Sequence, residues 1–178
     1  MENTSKKTSN MVKIAMIAAI YVVLTLAVTP IAYGPVQFRV SECLTILPAF
    51  TSLAIPGLTL GCCLANLLGA LFGVNPTGYI DAVVGTSATL VAALLSYLAG
   101  KLRHKVLRYL LVPFFPVLLN TVIVGLEITF LFNQNDAFWK AYLMNAGSVG
   151  LGEAVICYTL GILVMVILQR KDFYKRLF

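Results

Sequence analysis

Six apolar stretches follow one another along the chain, at about residues 11–32, 41–53, 57–72, 79–100, 109–132 and 138–168. A membrane-crossing helix needs roughly 20 apolar residues, which the first, fourth, fifth and sixth stretches supply outright. The first carries no charge after Lys13 and ends near Pro30 and a Tyr33-Gly34-Pro35 turn. The second begins after Gln37-Phe38-Arg39 and stops at Ile55-Pro56-Gly57. At about 13 residues it is short for a full crossing and predicts a tilted or half-buried helix. The third has a small residue at every fourth position, Gly57, Gly61, Ala65, Gly69 and Gly73, a stripe that lets another helix backbone approach. Pro113 and Pro116 kink or delay the fifth. Gly147, Gly150, Gly152 and Gly161 in the sixth predict an irregular first third.

Composition removes the soluble reading. Hydrophobic residues make up 60% and charged residues 11% of the 178, against about 25% charged in a soluble domain. The expected fold is an all-α integral membrane bundle of six transmembrane helices over residues 11–170. A cytoplasmic tail over 1–10 and a basic cytoplasmic tail over 171–178 flank it, and these 178 residues leave no room for a second domain. The first stretch shows no small-residue cleavage site and is expected to be a retained helix. The net charge of +6 does not suggest nucleic acid, because the basic residues flank the apolar stretches instead of forming one patch. Eleven of the thirteen precede the first stretch, follow the last, or lie between Lys101 and Arg108, with only Arg39 and Lys140 on the other side. Counting all six crossings, the positive-inside rule places both termini in the cytoplasm of a plasma-membrane protein. Cys43, Cys62, Cys63 and Cys157 all fall in apolar stretches and read as packing residues.

Ionisable groups at membrane depth are functional candidates by default. Glu42, Asp81, Glu127 and Glu153 come from four separate segments and converge on the external side, with Arg39 the nearest cation. Asp81 also reads as a helix cap and Glu42 as a partner of Arg39, whereas Glu127 and Glu153 have no partner close in sequence. Asn66, Asn120 and Asn145 read either as interhelical hydrogen bonds or as ligand contacts. Tyr33, Phe38, Tyr79 and Trp139 read as interfacial anchors, or together as the wall of a pocket for a flat ring. The lone histidine, His104, lies among solvated charges, and no G-x-x-x-x-G-K-[ST] string occurs. The expectation is a transport protein rather than an enzyme, with no cofactor of its own, drawing energy from an ion gradient or a partner.

The string Tyr33-Gly34-Pro35-Val36-Gln37-Phe38-Arg39-Val40-Ser41-Glu42 is followed by Ile55-Pro56-Gly57, Asn66-Leu67, Asp81, Gly85-Thr86, Val124-Gly125-Leu126-Glu127 and Ser148-Val149-Gly150-Leu151-Gly152-Glu153. Over about residues 11–168 this order resembles the QueT transporters, substrate-binding S components of energy-coupling factor (ECF) importers. The resemblance implies a six-helix S component that binds a queuosine precursor, a 7-deazaguanine, from outside and topples in the membrane. It also implies docking on a transmembrane coupling protein with two ATPases that bind the ATP, through an Ala-x-x-x-Ala pair that Ala15 and Ala19 match. On that resemblance Glu127 or Glu153 accepts from the guanine-like edge and Asn120 or Gln37 donates to its carbonyl. Tyr33, Phe38 and Trp139 then stack on or cover the ring, and Arg39, Glu42, Asp81 and Asn66 complete the site. Two other readings stay open: an S component for another vitamin, and a small secondary carrier in which Glu127 and Glu153 take ions.

Overall fold

The computed structural model describes residues 2–33, 36–133, 137–170 and Tyr174. Gly34 and Pro35 of the motif string, residues 134–136 of the fifth-to-sixth connection, and the basic tail apart from Tyr174 lie outside the described residues. No strand occurs among the described residues, as expected in lipid, where a backbone that satisfies its own hydrogen bonds is needed. The elements are α1 (Glu2–Ala27), α2 (Thr29–Ala32), a 3₁₀ helix (Val40–Ala49), α3 (Ala54–Leu71), α4 (Tyr79–Gly100), α5 (Lys105–Leu119), α6 (Gly125–Phe132), α7 (Phe138–Ile156) and α8 (Ile162–Gln169). Single π-helical turns at Asn120–Val124 and Cys157–Gly161 join α5 to α6 and α7 to α8. Among the described residues, five continuous helices are therefore long and apolar enough to cross a membrane, ending in Lys105–Phe132 and Phe138–Gln169.

The second apolar stretch, expected as a tilted or half-buried helix, is a ten-residue 3₁₀ helix. Its course through the bundle follows from the packing around it. A Cβ on Gly57 would touch Ile17, and one on Gly61 would touch Tyr21 and Ala18, so α1 and α3 run parallel. The chain must return between them. At one end of the 3₁₀ helix Arg39 pairs with Asp81 at the start of α4, and at the other Ala49 packs on Gly100 at the end of α4. A 3₁₀ helix rises about 2.0 Å per residue against 1.5 Å in an α-helix, so ten residues cover about 20 Å. The narrow, stretched helix carries the short segment through the interior, with Ser41, Glu42, Cys43, Thr45, Ile46, Leu47 and Pro48 all buried.

Successive helices from α3 onward pack antiparallel. Asn66 donates to the Asp81 carbonyl at 2.9 Å between α3 and α4, Ser96 to the Val112 carbonyl at 2.9 Å between α4 and α5, and Tyr158 to the Leu110 carbonyl at 3.0 Å across the last two crossings. Val112 is four residues before Pro116, which has no N–H to give it. Ser96 fills that vacancy, and α5 runs through both prolines from Lys105, earlier than the sequence predicts. The irregularity expected in the first third of the sixth segment is also corrected: α7 is regular, and the π turn comes after it at Cys157–Gly161.

Apolar packing fills the half of the bundle nearest the start of α1. Ile17, Tyr21, Ile46, Leu47, Leu58, Val112 and Met165 lie there with Ala99 and Leu168. Lys13, Leu47 and Leu168 share one groove, so α1 passes the end of α8 at about Lys13. The connection carrying Lys101, Arg103 and Lys105 lies at this same basic end. Polar side chains collect in the opposite half.

Candidate functional site

The polar half is built around residues 33–42, which run from α2 into the 3₁₀ helix. Arg39 is 2% exposed and pairs with Asp81 at 2.5 Å. The Tyr33 ring lies 5.3 Å from its guanidinium, a cation–π arrangement. Asp81 sits in the first turn of α4, but Gly78 occupies the cap position. Its carboxylate is committed to Arg39 and accepts from Asn75 Nδ2 at 3.0 Å. The Asn75 Oδ1 atom accepts in turn from the Thr77 hydroxyl and backbone N–H. The capping reading of Asp81 and the pairing of Glu42 with Arg39 are thus both replaced.

Glu42 is fully buried and accepts a hydrogen bond from the Tyr21 hydroxyl. Deeper on α7, Glu153 accepts from Asn120 Nδ2 at 3.0 Å. Asn120 opens the first π turn, and Cys157 at the second bridges the acids, its thiol 3.7 Å from Glu153 Oε2 and 3.7 Å from the Glu42 carbonyl. The two π turns therefore face each other at the level of this acid pair, where such turns aim side chains inward. Glu127, 6% exposed, holds neither oxygen in a hydrogen bond.

Close backbone approach makes the arrangement possible. A Cβ on Gly152 would run into the Gln37 carbonyl, and one on Gly85 into the Asp81 carboxylate. The residue next to Glu153 is glycine because the segment carrying Gln37 and Phe38 lies directly on α7.

A cavity of about 420 Å³ lies at the end away from the basic residues, lined by Tyr33, Gln37, Thr77, Ile128, Asn145 and Val149 among others. Pockets for small ligands commonly span about 300–1,000 Å³. Two of the acids reach its wall through neighbours, Asp81 to Thr77 through Asn75 and Glu153 next to the glycine under Gln37, whereas Glu127 lines a separate apolar groove of about 330 Å³ with Val84, Ile123 and Phe130. Several buried polar atoms here have no partner among the described residues: Arg39 Nε, Glu42 Oε2, Asp81 Oδ1, Thr86 Oγ1, Asn120 Oδ1 and both Glu127 oxygens. Native interiors leave few such groups unpaired.

The structure brings Tyr33, Gln37, Arg39, Glu42, Asn66, Asp81, Asn120, Glu127 and Glu153 into this half of the bundle. Asn66 is spent on the Asp81 carbonyl and on Tyr33, whose hydroxyl lies 3.3 Å from Asn66 Oδ1. Phe38 anchors the segment by donating its N–H to the Ile31 carbonyl at 2.8 Å. Trp139 is 72% exposed, with its ring against Phe138 and Tyr142, not on the cavity. Tyr79 is also exposed. Sequence reasoning missed Tyr21, Asn75 and Thr77, and named Thr86 only within the motif order. Tyr21 carried one signal, a hydroxyl in the middle of an otherwise apolar span, and Asn75 another, in the Asn75-Pro76-Thr77-Gly78 turn.

The model of the QueT transporter family matches residues 11–170. The chain is 40% identical over 87 residues to a protein of Lactococcus lactis subsp. cremoris (strain MG1363) named queuosine precursor transporter QueT. That alignment spans 48% of this chain and 47% of the relative, so about half the length of the curated protein is matched. No solved structure matches the chain. The family match takes in all six apolar segments and every element that contributes to the polar half of the bundle, and the chain belongs to the QueT transporter family, multi-pass membrane proteins of the all-helical kind.

Proposed function

We propose that this chain is the substrate-binding S component of an ATP-driven ECF importer and takes up a queuosine precursor from outside the cell. The observation that carries the ligand class is the imbalance among the unpaired buried atoms. Glu42 Oε2, Asp81 Oδ1, Asn120 Oδ1 and both Glu127 oxygens are acceptors, whereas Arg39 Nε is a donor and the Thr86 hydroxyl serves as either. The ligand that completes this set is rich in donors. A 7-deazaguanine offers adjacent ring N–H and exocyclic NH₂ groups to one carboxylate, and its aminomethyl form adds an ammonium. Four carboxyl groups against one guanidinium favour that cation. The name of the Lactococcus relative supports the same class.

Glu127 or Glu153 accepts from the guanine edge, Gln37 donates to its carbonyl, Asn120 Oδ1 offers a further acceptor, and Tyr33 flanks the ring. Removing the Glu153 charge loses a charge-assisted hydrogen bond worth about 1.5–3 kcal/mol. Glu153→Gln is therefore expected to weaken binding of the aminomethyl base roughly 10- to 100-fold in a direct titration. Unchanged affinity removes Glu153 from the site, and tighter binding of thiamine or riboflavin than of any deazaguanine overturns the ligand class.

Docking on the coupling protein falls to the outer face of α1. Ala15 and Ala19 are exposed there beside Met16 and Ile20, 57% and 48% exposed, and two small residues one turn apart admit a partner helix closely. ATP hydrolysis belongs to two partner ATPases. Copurification with a coupling protein and two ATPases tests the assembly. Uptake into vesicles driven by an ion gradient without those subunits overturns it.

A further inference from the structure

A second polar cavity of about 420 Å³ lies at the basic end, far from the acids, lined by Arg108, Gln169, Ala49, Phe50, Gly100 and Tyr174. Arg108 Nε and Gln169 Nε2 are both buried there and have no hydrogen-bond partner among the described residues. Tyr109 donates its hydroxyl to Gln169 Oε1 at 2.7 Å, which holds the carboxamide with its NH₂ as the unused side. The two unpaired groups in this wall are donors, so the group that completes them is an acceptor. Arg108 is the charged residue of the lining, and the chain beside it is basic in sequence: Lys101 follows Gly100, Arg170 follows Gln169, and Arg103 and Lys105 follow Lys101. A guanidinium presents parallel N–H bonds that match the oxygens of a phosphate. A basic pocket between helices at this face of a membrane protein suits an anionic headgroup.

We propose that this cavity binds a phosphate-type oxyanion, with Arg108 donating to one or two of its oxygens and Gln169 Nε2 to another. The oxyanion is either the headgroup of an anionic phospholipid or a free phosphate. The site uses none of the residues assigned to the queuosine precursor and stands or falls apart from that assignment.

The full chain in nanodiscs of phosphatidylcholine is compared with the chain in discs containing phosphatidylglycerol, and with the phosphatidylcholine discs given inorganic phosphate. The readouts are the midpoint of thermal unfolding and lipid retention in native mass spectrometry. Phosphatidylglycerol is expected to raise the midpoint, and Arg108→Gln and Gln169→Leu each to weaken the effect about tenfold in lipid concentration. Lys101→Gln with Lys105→Gln, which lowers surface charge alone, is expected to keep most of it. Stabilisation by phosphatidylglycerol alone assigns the lipid, and stabilisation by inorganic phosphate as well assigns a free anion to the same two residues. The proposal is overturned if both single variants respond like the parent chain, or if the lysine pair loses the effect as fully as Arg108→Gln. Gln169→Leu, which removes no charge, decides the matter should Arg108→Gln fail to accumulate.

Discussion

Arg39 concentrates most of the electrostatic risk of the fold in one side chain. It is 2% exposed, paired with Asp81 and covered by Tyr33, with Nε left over. Breaking a buried pair by removing one partner strands the other charge and costs about 3–5 kcal/mol, whereas replacing both partners is far cheaper. Arg39→Met and Asp81→Leu should each lower the thermal midpoint of the detergent-purified protein sharply. The double variant should recover most of the loss, and a double variant as unstable as the sum of the singles would contradict the pairing. Reading the residues in isolation placed Glu42 opposite Arg39, three positions away. The fold instead delivers Asp81 to Arg39 and gives Glu42 the Tyr21 hydroxyl.

At the scale of elements, glycines and prolines decide how closely the helices meet and where their hydrogen bonds go. Gly152 faces the Gln37 carbonyl, while Gly147, on the same helix, has nothing within 4 Å of an added Cβ. Gly152→Ala should therefore displace the Gln37 segment and cost about 1–3 kcal/mol of stability, with precursor binding lost in titration. Gly147→Ala should be neutral or stabilising by up to about 1 kcal/mol, since only helix propensity changes. Ser96 supplies the hydrogen bond that Pro116 withholds from Val112. Ser96→Ala should cost about 1 kcal/mol in thermal unfolding, a loss that vanishes when Pro116 is also replaced by alanine. The small-residue stripe of α3 divides its labour. Gly57 and Gly61 seat α1, Gly69 lies against Tyr33, and Gly73 lies past the helix end at φ +68°, a turn position rather than a packing one.

Across the whole molecule the bundle is polarised along its axis. An apolar core and a cationic rim occupy one end, and a buried acidic network with an overlying cavity occupies the other. The proposed positive-inside orientation turns the cavity outward. The check is labelling of intact cells with an impermeant thiol reagent, in a background lacking the four native cysteines. Val74→Cys in the α3–α4 connection should react and Lys101→Cys should react only after permeabilisation; the reverse pattern would invert the protein in the membrane.

Much of this architecture was open to inspection in the order of the residues. Hydrophobic runs long enough for lipid, basic residues confined to their flanks and acids at depth are one-dimensional facts, because the bilayer imposes thickness and charge exclusion on any chain that crosses it. The motif residues from Tyr33 to Glu153 likewise marked which half of the bundle carries the polar groups. Which acid meets which partner was decided only in three dimensions. Asp81 and Arg39 are forty-two positions apart, Asn120 and Glu153 thirty-three, and pairings at such separations depend on helix rotation and depth, which hydrophobic patterns leave degenerate. The same holds for the 3₁₀ form of the second apolar stretch and for the outward turn of Trp139. A segment of about 13 apolar residues is compatible with an α-helix or a stretched one, and packing between α1, α3 and α4 selected the form that reaches from Asp81 to Gly100.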